Sequence, residues 1–265
     1  MNQFAKFLRD EGLRSGQHVL MHSSFRKIRS CFPGISIADI IHSVMNIVTD
    51  HGSLIMPAFT YCYKRSDGQH EIFDPAGSVS KVGAVSEVFR LMPGVTRTAS
   101  PTHSFSLLGA VQNEIHEDNS PESPLGKGSV LDWLNSQHDA FILLLGIDFT
   151  AMSFCHYIEV MASVSWADVS PWDYLNVEKV GLSINGEQPL KELPGCSQSF
   201  VNFENYLLEQ GVIQPFQKSE LPGYFITVRQ LFETGIDFFR NQSEQLLCPK
   251  GTCEACDTRR HKLNL

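Results

Sequence analysis

Ala140-Phe141-Ile142-Leu143-Leu144-Leu145-Gly146-Ile147 is the longest strongly apolar run in the chain. It is far shorter than the roughly 20 residues a membrane-spanning helix needs. No polar alternation interrupts it, so it reads as a central strand covered on both faces, as in sheets with a helical layer on either side. Towards the N-terminus, His18-Val19-Leu20-Met21-His22 reads as a second buried strand, ending in Ser23-Ser24 where the chain opens towards a helix. Between the two, a helix is predicted over 36–49, capped by Ser36 and apolar at Ile37, Ile40, Ile41, Val44, Ile47 and Val48. A strand over 53–59, a polar and aromatic loop over 60–80, and a helix over 82–91 stopped by Met92-Pro93-Gly94 follow. Further on come a short strand over 105–108 and a short helix over 130–135, and an amphipathic helix over 2–12 precedes them all. Strands alternating with helices predict an α/β fold, a mixed central sheet flanked by helices.

Beyond residue 165 the rhythm changes. A hairpin over 177–184 turning at Asn185-Gly186, a helix over 197–210, a strand over 223–228 and a helix over 229–239 make an α+β C-terminal extension. No Pro/Gly/Ser-rich linker separates it from the body, so a single domain is expected over 1–247, followed by a Cys-rich tail over 248–265.

Composition excludes some functions. The 265 residues carry 21 Lys and Arg against 29 Asp and Glu, a net charge of −8 with neutral histidine, and 42% are hydrophobic. That supports a substantial core and lacks the cationic excess of a phosphate-backbone binder, so neither nucleic acid nor a membrane is an expected partner. An acidic surface favours a cationic small molecule instead. The first ten residues lack the apolar core of a secretion signal, and seven cysteines, an odd number, do not read as a disulfide framework. The expected compartment is the cytoplasm.

Three polar stretches lie directly after apolar strands, where open α/β sheets hold ligands. In Met21-His22-Ser23-Ser24-Phe25-Arg26, two hydroxyls, free backbone N–H groups and an arginine fit either a phosphate site or an ordinary Ser-capped helix start. In Arg97-Thr98-Ala99-Ser100-Pro101-Thr102-His103-Ser104-Phe105, hydroxyls surround one imidazole, fitting either an anion site with Arg97 as the charge or a turn that satisfies its own backbone. In Cys155-His156-Tyr157-Ile158-Glu159, the spacing of His156 and Glu159 places both on one helix face, where a carboxylate raises the basicity of an imidazole; a functionless helical pair has the same spacing. Adjacent helical residues point about 100° apart, which disfavours a Cys155–His156 nucleophile pair. The tail adds Cys248-x4-Cys253-x2-Cys256-x4-His261, four ligands of the kind and number that a structural zinc takes, or else a set of reduced thiols. Walker, Rossmann, Gly-x-Ser-x-Gly and His-Glu-x-x-His patterns are absent.

Taken in order, the motifs resemble the antibiotic N-acetyltransferase family, whose type members are the aminoglycoside 3-N-acetyltransferases. The resemblance rests on Met21-His22-Ser23-Ser24-Phe25, Gly52-Ser53-Leu54-Ile55-Met56-Pro57-Ala58-Phe59-Thr60-Tyr61, Phe73-Asp74-Pro75 and Val82-Gly83-Ala84-Val85-Ser86-Glu87. It continues through Arg97, Pro101-Thr102-His103-Ser104, Ser123-Pro124-Leu125-Gly126-Lys127-Gly128-Ser129, Leu144-Leu145-Gly146 and His156-Tyr157-Ile158-Glu159. It implies a fold distinct from the common GNAT acetyltransferases, acetyl-CoA as co-substrate, and acetyl transfer to an amine on an amino sugar or aminoglycoside. His156 matches the family's catalytic histidine and Glu159 the acid that follows it. His22, Ser23, Ser24, Phe25, Arg26, Val82, Arg97, Ser100, Thr102, His103 and Ser104 match positions lining its coenzyme A groove. Tyr61, with the acidic Glu122 and Asp148, is expected on the acceptor side. Drug-modifying members usually carry His-Pro-Thr-His-Ser where this chain has Ser100-Pro101-Thr102-His103-Ser104, and the C-terminal third, where acceptor recognition is expected, matches the family only loosely, so the acceptor is not carried over. The alternative is a non-catalytic or zinc-organised binding protein on the same fold.

Overall fold

The computed structural model describes residues 3–217 and 219–264. In chain order these form α1 (Gln3–Asp10), β1 (His18–Ser23), α2 (Phe25–Cys31), α3 (Ile37–Val48), β2 (Ser53–Pro57), β3 (Tyr63–Arg65), α4 (Ala84–Arg90), β4 (Thr96–Arg97) and β5 (Phe105–Gly109). Then follow α5 (Val130–Ser136), β6 (Ala140–Leu145), α6 (Phe154–Met161), β7 (Val177–Ser183), β8 (Gly186–Pro189), α7 (Phe200–Glu209), β9 (Gly223–Thr227), α8 (Val228–Asn241) and α9 (Glu254–Leu263). The central sheet has the order β4-β5-β2-β1-β6-β9 and is mixed: β1 runs parallel to β2 and β6, while β4, β5 and β9 pair antiparallel.

The unbroken apolar strands are explained by what covers them. Side chains alternate across a strand, so Leu20, Ile55, Ile142 and Leu144 face one core with Leu131, Ile158, Phe203 and Leu231 from the helices α5 to α8. Val19, Met21, Leu54, Met56, Leu143 and Leu145 face the other, against Phe4, Ile41 and Phe89 from α1, α3 and α4. Ser36 caps α3 reciprocally with Asp39, as its position before the apolar run requires. The chain leaves β1 through the second layer to reach β2 and reaches β6 through α5 in the first. The crossovers therefore diverge at the carboxyl ends of β1 and β6, where Ser23 is in register with Leu145.

The C-terminal extension completes this body. β9 adds to the free edge of β6, and the β7–β8 hairpin pairs with β3 in a second, three-stranded sheet. A Cβ at Gly235, inside α8, would lie 2.8 Å from Ile158 Cδ1, so the glycine is what lets α8 lie close against α6. Three elements had no sequence signature: β3 and β4, of three and two residues, and α9, whose charged sequence buries only Ala255, Cys256 and Arg259. Among the described residues no helix is long and apolar enough to cross a membrane.

Two histidines are enclosed by this frame, His22 at the end of β1 and His103 just before β5, 6% and 4% exposed. Burial pushes both down to about 3, with the nearby His156 adding to the effect on His103. An unfolded histidine titrates near 6.5, so between about pH 6.5 and pH 3 the unfolded chain binds more protons and stability falls as pH falls. The fall is expected to reach about 1.4 kcal/mol per pH unit for each histidine. Urea midpoints measured from pH 7 to pH 4.5 should show a decline that is shallower in His22→Gln; an identical decline would remove His22 as its source.

Candidate active site

α6 starts just after β6 has passed the end of the sheet, and its first turns present His156 and Glu159 on one face. His156 Nδ1 lies 2.6 Å from Glu159 Oε2, with side chains 13% and 4% exposed. An ionised carboxylate only accepts, so Nδ1 carries a proton and donates it, which leaves Nε2 as the ring nitrogen not engaged by Glu159. Burial works against the Glu159 charge, but the bond from His156, the Arg259 guanidinium 3.9 Å away and a 3.4 Å bond from Trp166 Nε1 hold its carboxyl below the usual range. Phe200 packs edge-on against the imidazole, with centroids 4.9 Å apart.

Two cavities meet at this imidazole. The first, about 430 Å³, opens at the carboxyl ends of β1, β2 and β6, with His22, Ser23, Lys81, Val82 and Ser153 in its wall. The second, about 480 Å³, lies between the small sheet and α9 and is rich in aromatic rings: Tyr63, Trp172 and Tyr174, with His103. Phe59, Tyr61, His156 and Ser197 line both. Tyr61 is held at the junction in a left-handed conformation, φ 54°, with its N–H donating to Thr102 O at 3.2 Å. Such an outlier at a cavity junction marks a place where the surroundings impose the backbone.

The expected coenzyme A residues divide. His22, Ser23 and Val82 line the first cavity, and His103 lines the second. Ser24 and Phe25 are half-buried at the start of α2, and Arg26 is exposed there. Arg97, Ser100, Thr102 and Ser104 line neither cavity. The guanidinium of Arg97 is spent on the protein itself: Nε donates to Ser104 Oγ, Nη1 to Pro75 O and Ser78 O, and Nη2 to Ala58 O, while the group lies 4.9 Å from the centroid of Phe73. Ser100 Oγ accepts from the N–H groups of Thr102 and His103, Thr102 Oγ1 bonds His103 Nδ1 at 3.0 Å, and Ser104 Oγ donates to Ala58 O. Of the two readings open for that stretch, these four residues take the self-satisfied turn.

The acidic residues expected on the acceptor side lie apart from both cavities. Glu122 pairs with Lys191 at 3.4 Å and Asp148 caps the turn that follows β6 by accepting from Thr150 N at 3.0 Å; neither borders these two cavities, and no Asp or Glu among the described residues lines either one. His261 is exposed and does not join the tail cysteines, because five residues along a helix from Cys256 place it about 140° around the axis. Cys196 takes that place, converging with Cys248, Cys253 and Cys256. Lys81, Ser197, Arg259 and Cys196 are the site residues that sequence reasoning missed. Only Lys81 had a usable signal, since it immediately precedes Val82 in a matched motif.

The family model described as aminoglycoside 3-N-acetyltransferase matches residues 20–240. A curated relative, aminoglycoside N(3)-acetyltransferase IV of Salmonella sp, is 31% identical over 157 residues, which cover 58% of this chain and 56% of that protein. The match therefore spans little more than half of that relative's length. A solved structure of the aminoglycoside acetyltransferase AAC(3)-IVa, a histidine-to-alanine mutant in complex with a gentamicin, superposes with a TM-score of 0.80 at 25% identity, over 98% of this chain and 95% of that one. A structure of AAC-IIIb, binary with CoASH, has a TM-score of 0.71 at 18% identity over 90% and 95% of the two chains, a likeness of fold. With residues 20–240 matched by the family model and 98% of the chain superposed on an aminoglycoside acetyltransferase, the chain belongs to the antibiotic N-acetyltransferase family.

Proposed function

We propose that this protein is an acetyl-CoA-dependent N-acetyltransferase, with His156 as the general base and an amine of an amino sugar or aminoglycoside as the acceptor. The observation that carries this reading is the place of His156, between two cavities and with Nδ1 engaged by Glu159. Two substrates entering from opposite sides would meet at the free Nε2. The name of the Salmonella relative, the CoASH bound to AAC-IIIb and the gentamicin bound to AAC(3)-IVa support the choice of substrates.

The first cavity suits the thioester arm. It lies at the sheet's switch point, and Lys81 is the one Lys or Arg in its described lining, a cation for the coenzyme's phosphates. The aromatic second cavity suits a ring-shaped acceptor, whose apolar faces and ammonium groups both bind aromatic surfaces. An ammonium must lose a proton before it attacks. The acceptor gives up its ammonium proton to solvent on binding; as the neutral amine adds to the thioester carbonyl carbon, His156 Nε2 takes its second proton, the ionised Glu159 stabilises the resulting imidazolium, and the imidazolium returns that proton to the departing sulphur. Collapse breaks the C–S bond, the coenzyme leaves as its thiol and the product is an N-acetyl amide. A non-catalytic, zinc-organised binder on this fold would draw on the cysteine cluster, but it leaves the buried His156–Glu159 pair at the junction without a use.

Acetyl-CoA turnover, followed by thiol release over a panel of amino sugars and of kanamycin- and gentamicin-type amines, tests donor, reaction and acceptor together; no release with any amine would overturn the reading. On an active acceptor, His156→Ala is expected to lower kcat by about 10²-fold or more while coenzyme A binding by calorimetry stays within a few-fold. Undiminished turnover would refute the base. Lys81→Ala should raise the KM for acetyl-CoA about tenfold with an unchanged urea midpoint. Arg97→Ala should instead lose about 2 kcal/mol of stability or more, because it leaves buried carbonyls unpaired. A stable Arg97→Ala protein with only a raised KM would return Arg97 to the coenzyme.

A further inference from the structure

The sulphur atoms of Cys196, Cys248, Cys253 and Cys256 all lie within 4.8 Å of one another. All four are free thiols, and the Cys196 and Cys248 sulphurs are 3.6 Å apart, well beyond the roughly 2.05 Å of a disulfide bond. Four sulphurs each about 2.3 Å from a zinc ion stand at the corners of a tetrahedron with edges of about 3.8 Å. The observed cluster, with Cys196 and Cys248 at 3.6 Å and no pair beyond 4.8 Å, is close to that size. Its members come from three separate places, the loop between β8 and α7, the segment after α8 and the start of α9, so no local turn geometry accounts for their meeting.

The surroundings also suit thiolates. The N–H of Gln198 points at the Cys196 sulphur and that of Cys248 at the Cys256 sulphur, each at 3.4 Å, the backbone support that metal-bound sulphur commonly receives. Cys253 stands at the N-cap position of α9 without a side-chain capping bond, and Arg260, paired with Asp257, reaches back to the Cys248 carbonyl. Cys248 and Cys256 are buried in the larger core, and Cys196 and Cys253 half-buried, so the centre of the cluster is shielded from water.

We propose that Cys196, Cys248, Cys253 and Cys256 bind one zinc ion as a closed tetrathiolate site that clips α9 to the body of the protein. Each ligand enters as a thiolate, so binding exchanges up to four thiol protons for one Zn2+. The clip lies against the candidate active site. Gly195, Cys196, Ser197, Cys253 and Ala255 form one wall of the second cavity. α9 also carries Arg259, whose guanidinium passes so close beneath Gly195 that a Cβ there would collide with it. Arg259 Nη2 donates to Leu193 O at 2.9 Å, and Nη1 stands 3.9 Å from Glu159 Oε1. Holding α9 therefore holds both a cavity wall and a cation behind the His156–Glu159 pair. The metal site stands on its own geometry and does not depend on acetyl transfer.

The test uses the full chain, purified with reductant, without chelator, and loaded with Zn2+. Elemental analysis should find about one zinc per chain, released in step as p-hydroxymercuribenzoate consumes thiols. Loading with Co2+ instead should give the intense visible bands of a tetrahedral cobalt–thiolate centre. Cys196→Ser and Cys256→Ser should lose the ion and unfold at a lower temperature, whereas His261→Ala and Cys31→Ser should keep it. Wild-type protein that takes up no zinc or cobalt, that alkylates at all seven cysteines in the native state, or that shows by mass a Cys196–Cys248 disulfide in place of metal would overturn the proposal. Loss of the ion from His261→Ala would overturn the ligand set. The wild-type measurements decide the matter even if a cysteine variant fails to fold.

Discussion

A carboxylate with 4% of its side chain exposed stays ionised only if its neighbours replace the water it has lost, and Glu159 is such a group. Three parts of the chain supply the replacement. His156 comes from the same helix, Trp166 from the turn beyond it, and Arg259 from the far end of the sequence. Withdrawing any one would leave a buried charge short of a partner, which is the costly half of a buried pair. The pair that would do chemistry is thereby tied to the packing of α9 and of the 193–198 loop.

The sheet determines where that pair sits. Strands buried on both faces need helices on both sides, and crossovers that diverge from β1 leave a crevice at the carboxyl ends of β1 and β6. β6 runs into that crevice and α6 leaves it, so the first turns of α6 stand at the rim. The C-terminal extension then roofs the same place: the hairpin of β7 and β8, joined by β3, and the loop before α7 enclose the second cavity. A single crevice becomes two compartments with one imidazole between them.

Polar residues in and behind the two walls divide by what satisfies them. Arg97 and Ser104 bind backbone carbonyls that no strand partner reaches, and so hold the 75–78 segment and Ala58 against β4 and β5. His22 and His103, stripped of water and neutral, can offer directional hydrogen bonds without adding charge. Lys81, paired at 2.7 Å with Glu71 yet still half exposed, keeps a cation at the mouth of the first cavity. One buried arginine thus holds the framework together, while a lysine stays at the rim of the candidate site.

Local chemistry made much of this legible in the amino-acid chain. The apolar runs of β1, β2 and β6, the capped and periodic α3, and the Asn185-Gly186 hairpin are each determined within a few residues. The i and i+3 spacing of His156 and Glu159 needs only a helix to bring the two groups together. What the chain alone left open is what distance in sequence conceals. An arginine among hydroxyls looks the same whether it faces a phosphate or its own framework, and only the packed structure shows that Arg97 donates to three backbone carbonyls and a serine hydroxyl. Cys196 stands 52 residues before Cys248, and Arg259 reaches Glu159 from 100 residues away, so neither belongs to any motif that spacing can define. Secondary structure and the His156–Glu159 pairing follow from short-range sterics and periodicity, while partners of buried charges and thiols are chosen by tertiary packing, because only the folded interior determines which groups lose water together.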